Sequence, residues 1–249
     1  MYIEYPLKIP RPFDDLESVL QSKDYKKSIQ FSMYYQDILN KFRFLYIINY
    51  RIKDGKYICE KMDLIDKRIN ESEYSDEDIY SYKYFIGNNF MSAIDSNFLD
   101  IESFYIFARI LIDRIPYLIS DLHTGLLFDN KEYSFKTRIR NYVDFLEKHH
   151  DEIKDEMYYK TFLEFFIWFE ENLIDIRDHF IVHQNNMHIR NGLTYKNYIN
   201  VKDVIYYDIK TNIILDDEKT RLILSEDEIL KKILEFCDYI NNYFIKRLS

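Results

Sequence analysis

The chain has 249 residues, of which 47% are hydrophobic, so it is long enough to bury a substantial core. Its 34 lysines and arginines against 43 aspartates and glutamates give a net charge of −9, which excludes nucleic-acid binding driven by overall charge. Any RNA contact therefore requires a local basic patch. The two cysteines, Cys59 and Cys237, lie far apart in the sequence and argue against a disulfide framework or a thiolate zinc site. A reducing, cytoplasmic location fits this composition.

The N-terminal segment is rich in proline. Pro6, Pro10 and Pro12 all stand in the first dozen residues and predict an extended conformation there. The segment lacks the positive stretch and apolar run of a signal peptide, and no later stretch approaches about 18 uninterrupted apolar residues. We therefore expect a protein that is neither exported nor inserted in a membrane.

The rest of the chain is nearly free of helix breakers and predicts long helices. Their predicted ranges are 24–52, 60–71, 76–98, 101–120, 135–150, 155–184 and 226–247. Three starts carry capping signals: Ser75 with Asp78, Asp100 before Ile101, and Ser225 with Glu228.

A β-hairpin is predicted between the last two helices, within 199–224. The segments 204–207 and 213–215 are rich in β-formers and flank the polar residues 210–212, and 221–224 predicts a third short strand. No repeat and no Gly/Ser linker interrupts the chain, so one domain is the simplest division.

Several common sites are missing from the sequence. The glycines, at positions 55, 87, 125 and 192, are too far apart for a P-loop or a dinucleotide-binding loop. No histidine lies in an HExxH pattern, and His149 and His150 point about 100° apart on a helix, so they do not chelate one ion together. No GxSxG elbow is present. We therefore expect neither a metal nor another cofactor.

The segment from Arg177 to His183 is the strongest candidate for an active site. It ends a strongly apolar helical stretch, on which a guanidinium and an imidazole need polar partners. Arginine offers a fork of donors that matches phosphate, and histidine transfers protons near neutral pH. This pair predicts phosphodiester chemistry.

The Arg177-x5-His183 pattern, with the polar Asp178 directly after the arginine, resembles the signature of the HEPN superfamily. Its position late in the chain and the helix at 101–120 also resemble bacterial members of that family. The resemblance covers about 76–247. It implies an all-α, multi-helix HEPN-like bundle with a small hairpin before the last helix, in one domain over 1–249. Residues 1–75 would be an extended arm and an N-terminal helical extension, and 76–249 the HEPN-like core.

The resemblance implies a metal-independent endoribonuclease that acts as a homodimer in the cytoplasm, as a toxin or a phage-defence effector. Arg177 would hold the scissile phosphate, His183 would transfer protons, and Asp178 would orient one of them. On an ideal helix the arginine and histidine side chains lie about 120° apart, so they converge only if the helix ends near His183 or Arg177 reaches around it.

RNA would need a basic surface, for which five residues are candidates: Lys136, Arg138, Arg140, Arg190 and Lys196. Toxins of this family that pair with a nucleotidyltransferase antitoxin often have a tyrosine two positions after the histidine, and here that position is Asn185. An antitoxin or defence-complex partner of another kind is compatible with the pattern. The alternative hypotheses are a buried structural pair, with Arg177 bound to Asp178, Asp113 or Glu171, and a non-catalytic HEPN-like binding or scaffold module.

Overall fold

A computed structural model describes the backbone of 8–23, 28–69, 83–86, 89–126, 138–149, 155–175, 177, 188–191, 197–200, 207–208, 213–214, 220–222 and 225–248. Within these ranges, side chains are described for 8–23, 28–53, 99–119, 122, 138–149, 155–175, 177 and 225–248.

Six α-helices dominate the described chain. They are α1 (Asp14–Ser22), α2 (Ser28–Ile69), α3 (Ala93–Leu126), α4 (Ile139–Lys148), α5 (Glu156–Phe169) and α6 (Glu226–Leu248). A π-helical turn, Glu170–Ile174, follows α5 directly. The residues with described side chains are almost all helical, which supports the predicted all-α class. No helix in the described ranges is long and apolar enough to cross a membrane.

Short strands occur between the helices. They are β1 (Lys83–Ile86), β2 (Asn89–Ser92), β3 (His188–Asn191), β4 (Asn197–Asn200), β5 (Tyr207–Asp208), β6 (Ile213–Ile214) and β7 (Thr220–Leu222). The antiparallel pairs are β1 with β2, β3 with β4, β4 with β7, and β5 with β6. The turn residues 209–212 lie outside the described residues, so the complete hairpin predicted within 199–224 stays a prediction.

The chain divides into two compact units. The first comprises Met1–Tyr46, Ile106–Ile176 and Asp227–Ser249, and the second comprises Ile47–Tyr105 and Arg177–Glu226. The single-domain interpretation and the assignment of 1–75 as an extension remain predictions.

The core of the first unit is built from apolar positions at helical spacing. In α6 the fully buried residues are Ile229, Ile233, Phe236, Cys237, Ile240 and Phe244. Tyr142 of α4 and Phe162 of α5 pack edge to face with ring centroids 4.8 Å apart, and Phe162 makes a similar contact with Phe236 at 5.1 Å. These contacts join α4, α5 and α6 into one packed group.

Helix α1 lies between the proline-rich segment and the predicted helix 24–52, where no helix is predicted from the sequence. It buries Leu16 and Leu20, and the backbone N–H of Leu16 donates to Oδ1 of the buried Asn241 at 3.2 Å. The N-cap residue of α1, Phe13, has no side-chain oxygen that could accept from the N–H groups of the first turn. Asn241 accepts from one of them instead.

Three predicted boundaries in the first half of the chain are wrong. Helix α2 is continuous where 24–52 and 60–71 were predicted separately, and β1 and β2 occupy part of the predicted helix 76–98. Asp100 lies inside α3 instead of capping its start. Its buried carboxylate accepts a hydrogen bond from the Arg51 guanidinium at 3.0 Å. This donor takes the place of the backbone N–H groups to which a capping aspartate would bond.

Candidate functional site

Asp155 fixes the start of α5, the helix that leads to the Arg177 segment. Its carboxylate accepts hydrogen bonds from the backbone N–H groups of Met157 at 3.1 Å and Tyr158 at 3.2 Å. It also accepts from the Tyr243 hydroxyl at 3.1 Å and from the Arg247 guanidinium. Burial alone would raise the pKa of Asp155, but these hydrogen bonds outweigh burial and lower it. Helix α5 is therefore tied to the last turns of α6 by a charged carboxylate.

One face of α5 is aromatic and buried. Its buried residues are Tyr158, Phe162, Phe166 and Phe169. The hydroxyl of Tyr158 lies 3.0 Å from that of Tyr142 in α4, and both side chains are fully buried. Because burial raises the pKa of each phenol well above its usual value, the two remain protonated and bonded to each other. This face packs α5 against α4 and α6 within the first unit.

The helix widens at its C-terminal end into the π-helical turn Glu170–Ile174. The backbone N–H of Asp175 donates to the carbonyl of Glu170, which is the five-residue spacing of a π-helix. The side-chain amide of Asn172 donates to the carbonyl of Trp168 at 2.9 Å. In an α-helix that carbonyl would accept from the backbone N–H of Asn172, so the side chain takes the place of a helical hydrogen bond. No pattern in the sequence predicts this turn.

Arg177 follows the π-helical turn closely and is itself in π-helical conformation. Its side chain is half-buried. Isolated π-helical turns within α-helices occur frequently at functional sites, because the extra residue changes the direction of the side chains that follow. The local backbone at the first residue of the motif is therefore of a kind associated with function.

The other predicted site residues lack a described side chain. Asp178, His183 and Lys196 lie outside the described residues, and Arg190 lies in β3 with only its backbone described. The convergence of Arg177 with His183 therefore stays a prediction, as do the roles of Asp178, Arg190 and Lys196.

The remaining candidates for a basic surface differ in their surroundings. Arg138 is exposed at the N-cap position of α4, whereas Arg140 forms an ion pair with Glu170. Lys136 lies outside the described residues. Because Glu170 offsets the charge of Arg140, this region is less basic than the sequence predicted.

Asp113, one suggested partner for Arg177, has two partners within the first unit. Its Oδ2 lies 3.0 Å from Nε of the buried Arg109, and its Oδ1 accepts from the backbone N–H of Ile139 at 2.9 Å. Burial raises the pKa of Asp113 even though Arg109 and the Ile139 N–H favour its charged form. Asp113 therefore joins α3 to the first residue of α4, a structural role.

Among the described side chains, no three from His, Cys, Asp and Glu lie close enough together to hold a metal ion. The chain matches no protein-family model, no curated protein and no solved structure. The resemblance to the HEPN superfamily therefore depends on the sequence motif and its helical setting alone.

Proposed function

We propose that the protein is a metal-independent endoribonuclease of HEPN type, acting as a toxin or a phage-defence effector. The observation that carries the proposal is the half-buried Arg177 in π-helical conformation at the end of a buried aromatic helix. A guanidinium in that setting is restricted in its motion, and its donor fork matches the oxygens of a phosphodiester.

The proposed chemistry divides the work between two side chains. Arg177 binds the scissile phosphate and stabilises the extra charge of the pentacoordinate transition state. His183 takes the proton of the attacking 2′-hydroxyl or gives one to the leaving 5′-oxygen. Asp178 orients the side chain of Arg177 or that of His183. The RNA is thereby cleaved to a 2′,3′-cyclic phosphate and a 5′-hydroxyl. Two copies of the motif face each other in a homodimer, and Arg190 and Lys196 contact the RNA backbone.

The test is RNA cleavage in EDTA by the wild type and by Arg177→Ala and His183→Ala. Each substitution is expected to lower the rate at least about a hundredfold, and the double variant little further, because the two residues act on one transition state. Arg11→Ala and His149→Ala remove the same chemical groups elsewhere and should leave the rate unchanged. A wild-type rate that survives both motif substitutions refutes the proposal.

A non-catalytic HEPN-like binding module is the second candidate. The observations that favour it are two exposed apolar side chains on α5, Met157 at 69% and Ile167 at 45% exposure. Its test is the thermal midpoint of Arg177→Ala, which should then fall by many degrees, since loss of a half-buried structural arginine leaves the group that it binds unsatisfied. The purified wild type should cleave no RNA.

A further inference from the structure

The π-helical turn Glu170–Ile174 shifts the buried side of the helix by one residue. Phe169, Leu173 and Ile174 are all buried. In a regular α-helix Ile174 would lie about 140° away from Phe169, on the side where Ile167 is exposed. The five-residue spacing of the turn returns Ile174 to the buried side. The wide turn therefore allows two consecutive apolar residues to be buried.

The side chain of Asn172 favours this wide turn. It is half-buried, and its amide donates to the carbonyl of Trp168 at 2.9 Å. In an α-helix that carbonyl accepts from the backbone N–H four residues later, so the amide competes with the α-helical hydrogen bond for its acceptor. Loss of the amide therefore favours α-helical spacing at the turn.

The chain before the turn is fixed, so a change of spacing moves the residues after it. Glu170, the first residue of the turn, forms an ion pair with Arg140 of α4. The ring of Phe169 packs against that of Phe236 in α6 with centroids 5.4 Å apart. With these contacts kept, a change to α-helical spacing rotates each following residue by about 100°, the angle that one residue adds. Arg177, three residues after the turn in the chain, is one of them.

We propose that Asn172 is a positioning residue for Arg177: its side-chain amide keeps the π-helical spacing, and that spacing directs the guanidinium toward the scissile phosphate. Asn172 acts through the backbone and does not touch the RNA. A displacement of about 1 Å at a catalytic group lowers a rate up to about a hundredfold, so a rotation of Arg177 removes most of its effect. The role of Arg177 rests on the proposed ribonuclease function, whereas the effect of Asn172 on the turn does not.

The first measurement determines the spacing of the turn without RNA, by NMR of the full chain labelled with ¹⁵N and ¹³C. In the wild type, the scalar coupling across the hydrogen bond should join the amide nitrogen of Asp175 to the carbonyl carbon of Glu170. In Asn172→Ala it should join that nitrogen to the carbonyl carbon of Glu171, the α-helical partner. Asn242→Ala removes the same amide from an exposed position of α6 and should keep the wild-type coupling.

The second measurement compares a substitution with a deletion in the RNA cleavage assay. Asn172→Ala should lower kcat at least about tenfold and change KM by less than about threefold, because Arg177 acts on the transition state. Deletion of Asn172 removes the same amide together with the extra residue of the turn, so α-helical spacing then keeps Ile174 and Arg177 on their wild-type faces. The deletion variant should cleave within about threefold of the wild type, as should Asn242→Ala. A merely structural role of Asn172 predicts the reverse order, since a deletion disturbs a helix more than alanine does.

Three results would overturn the inference. One is an Asn172→Ala variant that keeps the coupling between Asp175 and Glu170, and another is a variant whose coupling has moved but whose cleavage rate has not. The third is a deletion variant that cleaves no faster than Asn172→Ala. A wild type that cleaves no RNA refutes the proposed function, and the coupling alone then decides whether Asn172 keeps the turn in π-helical spacing.

Discussion

Replacing Asp155 tests how the helix leading to the motif is held in place. The carboxylate caps α5 through two backbone N–H groups and joins it to α6 through Tyr243 and Arg247. Asp155→Ala removes all four hydrogen bonds, whereas Asp155→Asn keeps an oxygen for the cap and loses the charge. The two variants therefore separate the cap from the link to α6.

The expected magnitudes follow from these contacts. Loss of an N-cap costs about 1 kcal/mol. Loss of the partly buried hydrogen bond from Tyr243 costs about 1 kcal/mol, and loss of the Arg247 ion pair, whose arginine side chain is 36% exposed, about 0.5 kcal/mol. Asp155→Ala should thus lower the free energy of unfolding by about 2.5 kcal/mol, and Asp155→Asn, which keeps the cap, by about 1.5 kcal/mol.

Urea unfolding at neutral pH measures both values, followed by circular dichroism and by the fluorescence of the single tryptophan, Trp168. The pH dependence adds a check of sign. Because the pKa of Asp155 is lowered in the folded protein, its stabilising effect is present above the unfolded-state pKa of about 3.9 and is lost as pH falls through the folded value. The difference between wild type and Asp155→Asn should therefore shrink in acid. Equal losses for the two variants at neutral pH would refute this account of the cap.

Two further comparisons of variants test the core of the first unit. Phe162→Ala removes a fully buried ring between α4 and α6 and should cost about 3–5 kcal/mol of unfolding free energy. Ile167→Ala, on the exposed side of the same helix, should change it by no more than about 0.5 kcal/mol. Equal effects in urea unfolding would mean that α5 is oriented differently. Asp113→Ala should lower the unfolding free energy by about 2–3 kcal/mol, because it leaves the buried charge of Arg109 without its carboxylate. The double variant Asp113→Leu/Arg109→Met should recover part of that loss. No recovery in the same assay would contradict the pairing.

Helical periodicity predicted the C-terminal helices well. The structure has α6 at Glu226–Leu248 where 226–247 was predicted, and α4 lies inside the predicted 135–150. Their apolar residues recur every three or four positions. Such a stripe is visible within a single segment, so the helix and its buried face can be predicted from the local sequence. The predicted start of α5 is also close, since Asp155 has the residue type of an N-cap.

Other features depend on contacts that a single segment does not reveal. Helix α1 has its acidic first turn and Leu16 and Leu20 at helical spacing, but its first-turn partner, Asn241, is far away in sequence. Strands β1 and β2 have a local signal, since Gly87-Asn88 is a dipeptide typical of two-residue turns and aromatic β-formers stand in the segments before and after it. Asp100 has the residue type of a helix cap, and its pairing with Arg51 was not visible from the sequence.

The candidate site shows the same division. The arginine and histidine pattern was evident from the sequence, whereas the π-helical turn before Arg177 depends on packing that no spacing rule predicts.

The chemical ends of the cleaved RNA test the central claim most directly. Wild-type protein incubated with unmodified single-stranded RNA in EDTA should leave a 2′,3′-cyclic phosphate and a 5′-hydroxyl, because the neighbouring 2′-hydroxyl is the nucleophile. Both products should form at least about a hundredfold more slowly with His183→Ala. Cleavage that requires added Mg²⁺ or Mn²⁺ and leaves a 5′-phosphate, or products that persist in the His183→Ala variant, would contradict the account.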